Sequence, residues 1–414
     1  MIEYKKAQKI LTKSKIKIKD ELISITKSLN RVSTKDVFSP NNYPAANNTA
    51  FDGYAINYKE TKGLNKKNKR KFLILKTIAA GDNPKINKIK EYSTVEIMTG
   101  GLMPKNFNTV IPVEKINYYP NKNKPKFIII DKKISKNEHV RFAGSDYKKG
   151  EKVISRGEII NSSHILAFKS LGIEKILVKK KPLIIFYSTG NEISEKKIIP
   201  KWKVRNSNSY YIKSLSKNSF FEIVHGGILR DNDDNLFRKL IKKNFKSKND
   251  IIITNGAVSA GKFDFVPRII KNFGLSNYFK GVAIRPGKPI LFAKFKNKNQ
   301  SFFGLPGNPI SSAACFRFFV YPYLRLILNM KNEIPFKIKL KNSYSKKRNF
   351  TRFLKSKVVS SKKGFFEVEV LKGQESFKIK SFIEANAWSL FRSGKSSFKK
   401  GELIECFDHL NSKK

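Results

Sequence analysis

The sequence predicts a multidomain chain of α/β plus β class: a central α/β unit, a β-rich unit inserted ahead of it and a β-barrel-like unit at the end. Three observations predict this. Apolar runs of strand length alternate with helical stretches between 181 and 330. Short β-rich runs separated by turns fill 71–144. After about 333 apolar and polar residues alternate with period two and the helical stretches stop. With 414 residues the chain is also too long for one small core.

Taken in order, residues 1–50 read as an amphipathic helix followed by the Pro/Asn-rich extended stretch "FSPNNYPAANNTA". "FLILKTIAAGD", "YSTVEIMTGG", "NTVIPVEKI" and "KFIIIDK" are the strand-like runs of the inserted unit, and 143–182 reads as turn, strand, helix and strand. From 183 come the strand "PLIIFYSTGNEI", a helix "NSNSYYIKSLSKN" capped by Ser207 or Asn208, the strand "FFEIVHGGILRD" and the helix "NDDNLFRKLIKKNF". "DIIITNGAVSAGKFDFV" runs from strand into a Gly/Ser loop, "GVAIRPGKPILFAKF" is a strand pair split by Gly and Pro, and "QSFFGLPGNPISS" passes from strand to helix. "PFKIKLKNSY", "RFLKSKVVSS", "FFEVEVLK", "SFKIKSF" and "GELIECF" are the strands of the terminal unit.

Composition excludes several classes. No run approaches the roughly 20 apolar residues of a membrane span, and the start lacks the apolar core and cleavage site of a signal peptide. A cytoplasmic location and no membrane partner are expected. Cys315 and Cys406 alone offer neither a disulfide framework nor a cysteine zinc site. His139, His164, His225 and His409 lack metal-ligand spacing. Eighty-five Lys+Arg stand against 32 Asp+Glu, a formal charge of +53. The excess is spread over the whole chain and travels with abundant Asn, Ile and Phe, as an AT-rich gene produces. Without a basic arm or a basic–aromatic motif, nucleic acid is not the expected partner.

The chemistry lies in the loops of the α/β segment: "STGNE", "HGGILRD", "TNGAVSAGKFD", "RPGKP" and "LPGNP" follow or interrupt apolar strands. In an open α/β sheet the C-terminal strand ends meet in one crevice, where ligands bind at the topological switch point. Gly, Ser and Asn loops there present backbone donors suited to phosphate. Neither GxGxxG nor GxxxxGKS is present, which disfavours those nucleotide chemistries. Glu192, Asp231 and Asp264 sit in these loops, and a carboxylate beside an anion site calls for a divalent ion such as Mg²⁺. The alternative is that Glu192 and Asp231 cap helices. Arg285 and Lys288 add fixed cations beside Gly287. In "GLPGNPISS", Gly307 calls for either a positive φ or a close backbone approach, while Asn308 and Ser311 are placed to cap the following helix.

Several motifs together resemble the MoeA-type molybdopterin molybdenumtransferases, the molybdate-inserting enzymes of molybdenum cofactor synthesis that also form the C-terminal part of gephyrin-like proteins. They are "NRVSTKDVFSPNNYPAANNTAFDGYAI", "AAGD", "VEIMTGGLMPKNFNTVIPVEK", "VRFAGSDYKKGEKVISRGEII", "STGNEI", "TNGAVSAGKFDFV", "RPGKP" and "LPGNPISS", in family order from about residue 3 to 407. The resemblance implies an extended dimerisation domain (1–50 and 145–180), an inserted β domain (51–144), an α/β molybdopterin-binding domain (181–330) and a C-terminal β domain (333–408). It implies a homodimer that takes adenylylated molybdopterin and molybdate, releases AMP and uses Mg²⁺. Transient contacts with a molybdopterin adenylyltransferase and with acceptor apoenzymes follow from the same role. Asp52, Thr99, Asp146, Glu192, Asp231, Asp264 and Arg285 fall on catalytic positions, with Glu192, Asp231 and Asp264 as metal ligands. Asp52 of "FDGYA" and Thr99 of "MTGG" complete the partner's site. Cofactor-binding positions are Ser188, Gly190, Gly256, Ser259, Gly261, Gly287, Lys288, Pro306, Gly307, Asn308, Ser311, Lys355 and Ser376.

The chain departs from the family at Ala257, where many members carry a second Gly, and at Gly281, where some carry a lysine that Lys280 here only neighbours. Lys355 replaces a frequent Arg, and the two are not equivalent at a bidentate site. The competing readings are the sister adenylyltransferase, which shares the α/β fold, and a non-catalytic scaffold that binds molybdopterin or anions.

Overall fold

The computed structural model describes residues 1–258, 265–360 and 364–410. Its centre is a six-stranded sheet of β1 (Leu183–Thr189), β2 (Glu222–Leu229), β3 (Ile251–Asn255), β4 (Leu275–Lys280), β5 (Leu291–Phe295) and β6 (Ser301–Leu305), in the order 2-1-3-6-5-4. Strands β2, β1, β3 and β6 are parallel; β5 is antiparallel to β6, and β4, antiparallel to β5, points the same way as the parallel four. β3 and β6 are buried along their whole length, which explains their unbroken apolar runs. The chain leaves β1 toward β2 on one side and returns to β3 on the other. That reversal puts the switch point between β1 and β3. Register aligns Ser188 with Asn255 and Asn255 with Leu305, so three strand ends open onto one crevice.

The helix Pro309–Cys315, a π-turn over Phe316–Val320 and the helix Tyr321–Ile327 run through the main core. The N-terminal helix Tyr4–Lys13 packs on them: the Tyr4 ring meets Phe319 and Phe353 edge-on, and Gln8 Nε2 donates to the Phe318 carbonyl at 2.8 Å. Each fully buried Phe removes apolar surface worth about 2 kcal/mol, and a core this rich in Phe tolerates a heavily lysine-coated exterior.

The inserted unit is a six-stranded sheet with Thr109–Pro112, Gly53–Ile56, Ser93–Ile97, Arg70–Ile78, Phe127–Ile130 and Asn117–Tyr119 in spatial order. Segments on either side of it run alongside each other: Asp20–Ser24 pairs with Lys175–Lys179, and Val37–Phe38 with Lys152–Ile154. At the C-terminal end five strands close into a barrel-like ring, Thr351–Ser360, Phe366–Val370, Phe336–Leu340, Leu403–Asp408 and Ala387–Phe391, the last pairing back on the first. The two-residue strand Ile284–Arg285 adds in parallel to Thr351–Arg352 and joins this ring to the α/β unit.

Three local expectations need correction. The helix Ser207–Leu215 is preceded by Asn206, whose side chain makes no cap bond because it is engaged in the crevice, so neither Ser207 nor Asn208 is the cap. "SFKIKSF" is not a strand: after a loop it forms the one-turn helix Lys380–Glu384, so the C-terminal part is not free of helix. The ring's fifth strand, Ala387–Phe391, was not expected, because "AWSLF" carries no period-two pattern when all five residues are buried.

Candidate functional site

The crevice at the switch point is a cavity of about 560 Å³ lined by the ends of β1, β3 and β6. Its floor is backbone held open by glycine. Gly190 has φ +131° and donates its N–H to the Leu229 carbonyl at 2.9 Å; a Cβ there would strike the Glu192 carboxylate. Gly256 has φ +101° and lies so close to β1 that a Cβ would meet the Thr189 carbonyl oxygen at 2.8 Å. Gly307 faces no such constraint: a Cβ there would sit 3.7 Å from Gly256 Cα, an ordinary van der Waals contact. Nor is it among the positive-φ glycines, so both arms of the sequence expectation are corrected: the backbone itself does not require glycine here.

Buried neutral amides tie these loops together. Asn255 Nδ2 donates to the Pro306 carbonyl at 2.6 Å and to Ser312 Oγ at 2.9 Å. Asn208 Nδ2 donates to Asn255 Oδ1 and to the Gly307 carbonyl, both at 2.6 Å. Ser188 Oγ donates to Asn206 Oδ1 at 2.8 Å, and Asn206 Nδ2 donates to Glu195 Oε1 at 3.0 Å. His225 Nδ1 lies 3.5 Å from the same Glu195 oxygen, and burial pulls the imidazole below its ordinary pKa. Asn255, Asn206 and Glu195 were not singled out from sequence, and Asn208 was read only as a cap. The one signal available was that Asn255 directly precedes the loop glycine.

Glu192 and Asp231 both line this cavity, and neither forms an ion pair with a described residue. In a chain with 85 basic residues that is notable. Neither caps a helix: the helix after β2 begins at Asp234, behind Asp233. Arg230 Nη1 donates to the Gly190 carbonyl at 3.1 Å and the Ile193 carbonyl at 2.8 Å, and Asn191 Oδ1 accepts the Asp231 N–H at 3.2 Å. The two carboxylate loops are therefore fixed to each other. Among the described residues no three His, Cys, Asp or Glu side chains gather as a metal cluster. Asp264, Ser259 and Gly261 lie outside the described residues. Glu192 and Asp231 alone fit Mg²⁺, which takes one or two carboxylates and completes its shell with water and phosphate oxygens.

A second cavity, about 800 Å³, adjoins the first and shares Pro289 with it. Arg285, Gly287, Lys288, Ser311 and Ser376 line it. Gly287 has φ +102°, and a Cβ would collide with the fully buried Cys315 thiol, whose pKa burial pushes up. The cavities are bridged at the start of the "NPISS" helix. Asn308 Nδ2 donates to Ser376 Oγ at 3.0 Å instead of capping its own helix, and the Ile310 N–H donates to the Ser376 carbonyl at 3.1 Å. Ser311 is buried in that first turn and caps nothing. Lys355 is fully buried behind this bridge. Its ammonium donates to the carbonyls of Gly373 at 2.5 Å, Lys378 at 2.9 Å and Glu375 at 3.2 Å. All three protons are used on the loop that carries Ser376, which leaves none for a ligand.

The remaining expected residues lie elsewhere on the chain. The Thr99 N–H and hydroxyl both donate to Asp52 Oδ1, at 2.6 and 2.8 Å, and these bonds hold the exposed Asp52 carboxyl below its usual range. The pair belongs to the inserted sheet and does not line the crevice. Asp146 is exposed in a turn whose N–H donates to the Tyr43 carbonyl.

The site thus sets carboxylates and glycine loops at the switch point of an α/β sheet, flanked by a cation-rich cavity. Comparison with known proteins gives the class. Residues 2–172 match the family model "MoeA N-terminal region (domain I and II)", 185–326 "Probable molybdopterin binding domain" and 337–408 "MoeA C-terminal region (domain IV)". The molybdopterin molybdenumtransferase of Staphylococcus epidermidis is 28% identical over 409 residues, covering 98% of this chain and 94% of its own length. That of Staphylococcus aureus is 28% identical over 389 residues, covering 92% and 90%. The crystal structure of the molybdopterin biosynthesis MoeA protein from Pyrococcus horikoshii superposes with a TM-score of 0.81 at 25% identity, over 99% of both chains. The chain belongs to the MoeA-type molybdopterin molybdenumtransferase family. Its function lies in molybdopterin binding within molybdenum cofactor biosynthesis. No described helix is long and apolar enough to cross a membrane.

Proposed function

We propose that this chain transfers molybdenum: it takes adenylylated molybdopterin and molybdate and yields the molybdenum-loaded dithiolene and AMP. One observation carries the reading. A crevice lined by glycine loops and holding two unpaired carboxylates opens beside a cavity holding the cations Arg285 and Lys288, and the Asn308–Ser376 contact joins them. A ligand that spans the two needs phosphate at one end and an oxyanion acceptor at the other.

In this reading Gly190, Gly256 and Gly307, which carry no side chain, leave room for the pterin phosphate and pyrophosphate against the crevice loops. Glu192 and Asp231, with Asp264, would hold Mg²⁺, whose charge would polarise the P–O bond that breaks. Arg285, always charged and planar, suits a tetrahedral oxyanion, and the Lys288 ammonium balances charge on the departing phosphate. Asp52 and Thr99, locked together and exposed away from their own crevice, are available to a second subunit, so the working unit is a homodimer. The deciding experiment incubates the purified protein with adenylylated molybdopterin. AMP release that requires both molybdate and Mg²⁺ is expected, and AMP release indifferent to molybdate would overturn the transferase reading. A monomeric mass coexisting with full activity would overturn the shared site.

A further inference from the structure

Arg285 and Arg352 are register neighbours in a parallel strand pair, so both side chains leave the same face about 5 Å apart at their roots. Like charges placed in this way repel. Arg285 lies with its guanidinium 5.3 Å from the centre of the Phe350 ring, which fixes its plane. Arg352 has a buried Nε with no hydrogen-bond partner, and neither arginine has a carboxylate partner among the described residues. Lys288 and Lys372 line the same cavity, and the buried Lys346 stands close enough to feel the Arg352 charge. One carboxylate, Glu375, is present, but Lys378 holds it at 2.9 Å. A fold that crowds two guanidiniums without an internal counterion leaves room for an external one.

The position where relatives carry an arginine does not supply that contact in this chain, because the Lys355 ammonium is used on three carbonyls. We infer that Arg352 is the second guanidinium of the oxyanion cavity, pairing with Arg285 around a tetrahedral dianion while Lys355 only positions the Ser376 loop. This rests on the anion-binding reading of Arg285 given above. Two forks on adjacent strands can grip four oxygens of one tetrahedral ion, which a lysine point charge cannot do. The ion is molybdate or the adenylyl phosphate, which share this chemistry.

Calorimetric titration of sodium molybdate, and separately of AMP, into the full-length protein tests the assignment. The variants are Arg352→Gln, Arg285→Gln and, as a charge control on the inserted unit, Lys62→Gln. Arg352→Gln is expected to weaken molybdate at least about tenfold, while its melting temperature without anion stays level or rises as the repulsion is relieved. Lys62→Gln should change neither. A loss confined to AMP supports the site and identifies its ion as the phosphate. Normal binding of both by Arg352→Gln alongside weakened binding by Arg285→Gln overturns the role of Arg352 and leaves the Arg285 reading standing. Normal binding by both variants overturns the two together. If Arg352→Gln does not fold, Arg352→Lys, which keeps charge without the fork, should bind with intermediate affinity, and wild-type affinity there sinks the proposal.

Discussion

The two sides of Asn308 are built from different chemistry. On the crevice side, apart from Arg230 and Glu195, the loops are tied by neutral groups: Asn255, Asn208, Asn206, Ser188 and Ser312 donate and accept among themselves and to backbone carbonyls. On the barrel side the seam is ionic and aromatic. Arg317, 2% exposed, is held by Glu333 at 2.5 and 2.9 Å and by the Asp408 carbonyl at 3.0 Å, while Lys355 clamps its three carbonyls. His409 stacks against Trp388 with ring centroids 5.3 Å apart. Neutral amides hold a shape at any ordinary pH and leave the charge of the crevice to Glu192, Asp231 and Arg205. Buried ionisable groups make the barrel seam respond to acid.

The sharpest way to break the comparison is to remove the crevice's free charge. Glu192→Gln keeps the size and shape of the side chain but turns one acceptor oxygen into a donor and cannot offset a cation. Turnover, measured as molybdate-dependent AMP release, should fall about a hundredfold, or ~2.7 kcal/mol, with the denaturant midpoint unchanged. A near-normal rate with the same Mg²⁺ dependence would mean that the carboxylate is only a surface group.

Removing a tie should instead cost stability. Asn255→Ala strands the buried Pro306 carbonyl and Ser312 Oγ, while Asn208 Nδ2 loses one of its two acceptors and keeps the Gly307 carbonyl. Buried polar groups stranded in this way cost about 1–3 kcal/mol each when fully desolvated. Part of that is recovered by water entering the crevice, so about 3 kcal/mol in total is expected from urea unfolding. A loss under about 1 kcal/mol would show that the lattice is decorative.

The seam should be distinguished by pH. Burial holds the His409 imidazole near pKa 4, against an ordinary 6.5, with the Arg317 charge adding to the effect and Asp408 opposing it. Between these values the unfolded chain binds a proton that the folded chain refuses, so stability is lost as pH falls from 6.5 toward 4. The loss should be about 2 kcal/mol, below the full linkage value because the ring is not wholly enclosed. His409→Phe should flatten that slope and change little at pH 7.5. An unaltered slope would place the acid sensitivity on other groups.

What could be read in advance follows the same division. The crevice loops were legible because glycine and proline mark them locally: Gly190 and Gly256 occupy backbone that only glycine enters without strain. The ties between them were not legible, because Asn208 reaches Asn255 and Gly307 across 47 and 99 residues, and an asparagine in sequence does not reveal its distant partner. The same holds for Lys355, which sequence placed at a ligand and the structure buries against carbonyls, and for Arg352, one basic residue among 85. The strand Ala387–Phe391 escaped because a segment buried on every side carries no alternation to read.

The smallest effect tests the crevice loop at its one departure from glycine. Ala257 follows Gly256 with φ +52°, the left-handed region where a Cβ crowds the following carbonyl. An alanine there costs roughly 1–2 kcal/mol in the folded state. Glycine removes that strain but returns part of the gain through the greater freedom of the unfolded chain, about 0.4–1 kcal/mol. Ala257→Gly should therefore raise stability by about 0.5–1 kcal/mol, read as a higher denaturant midpoint at an unchanged slope. Ala257 also lines the crevice beside Asn255 and Gly256. If its methyl group only adds strain, ligand affinity should stay within about twofold of wild type. If it also narrows the anion loop, affinity should rise together with stability. A variant less stable than the parent would mean that the Ala257 methyl packs well enough on the crevice wall to outweigh its backbone strain, and the loop would then be held by side-chain packing as well as by its amides.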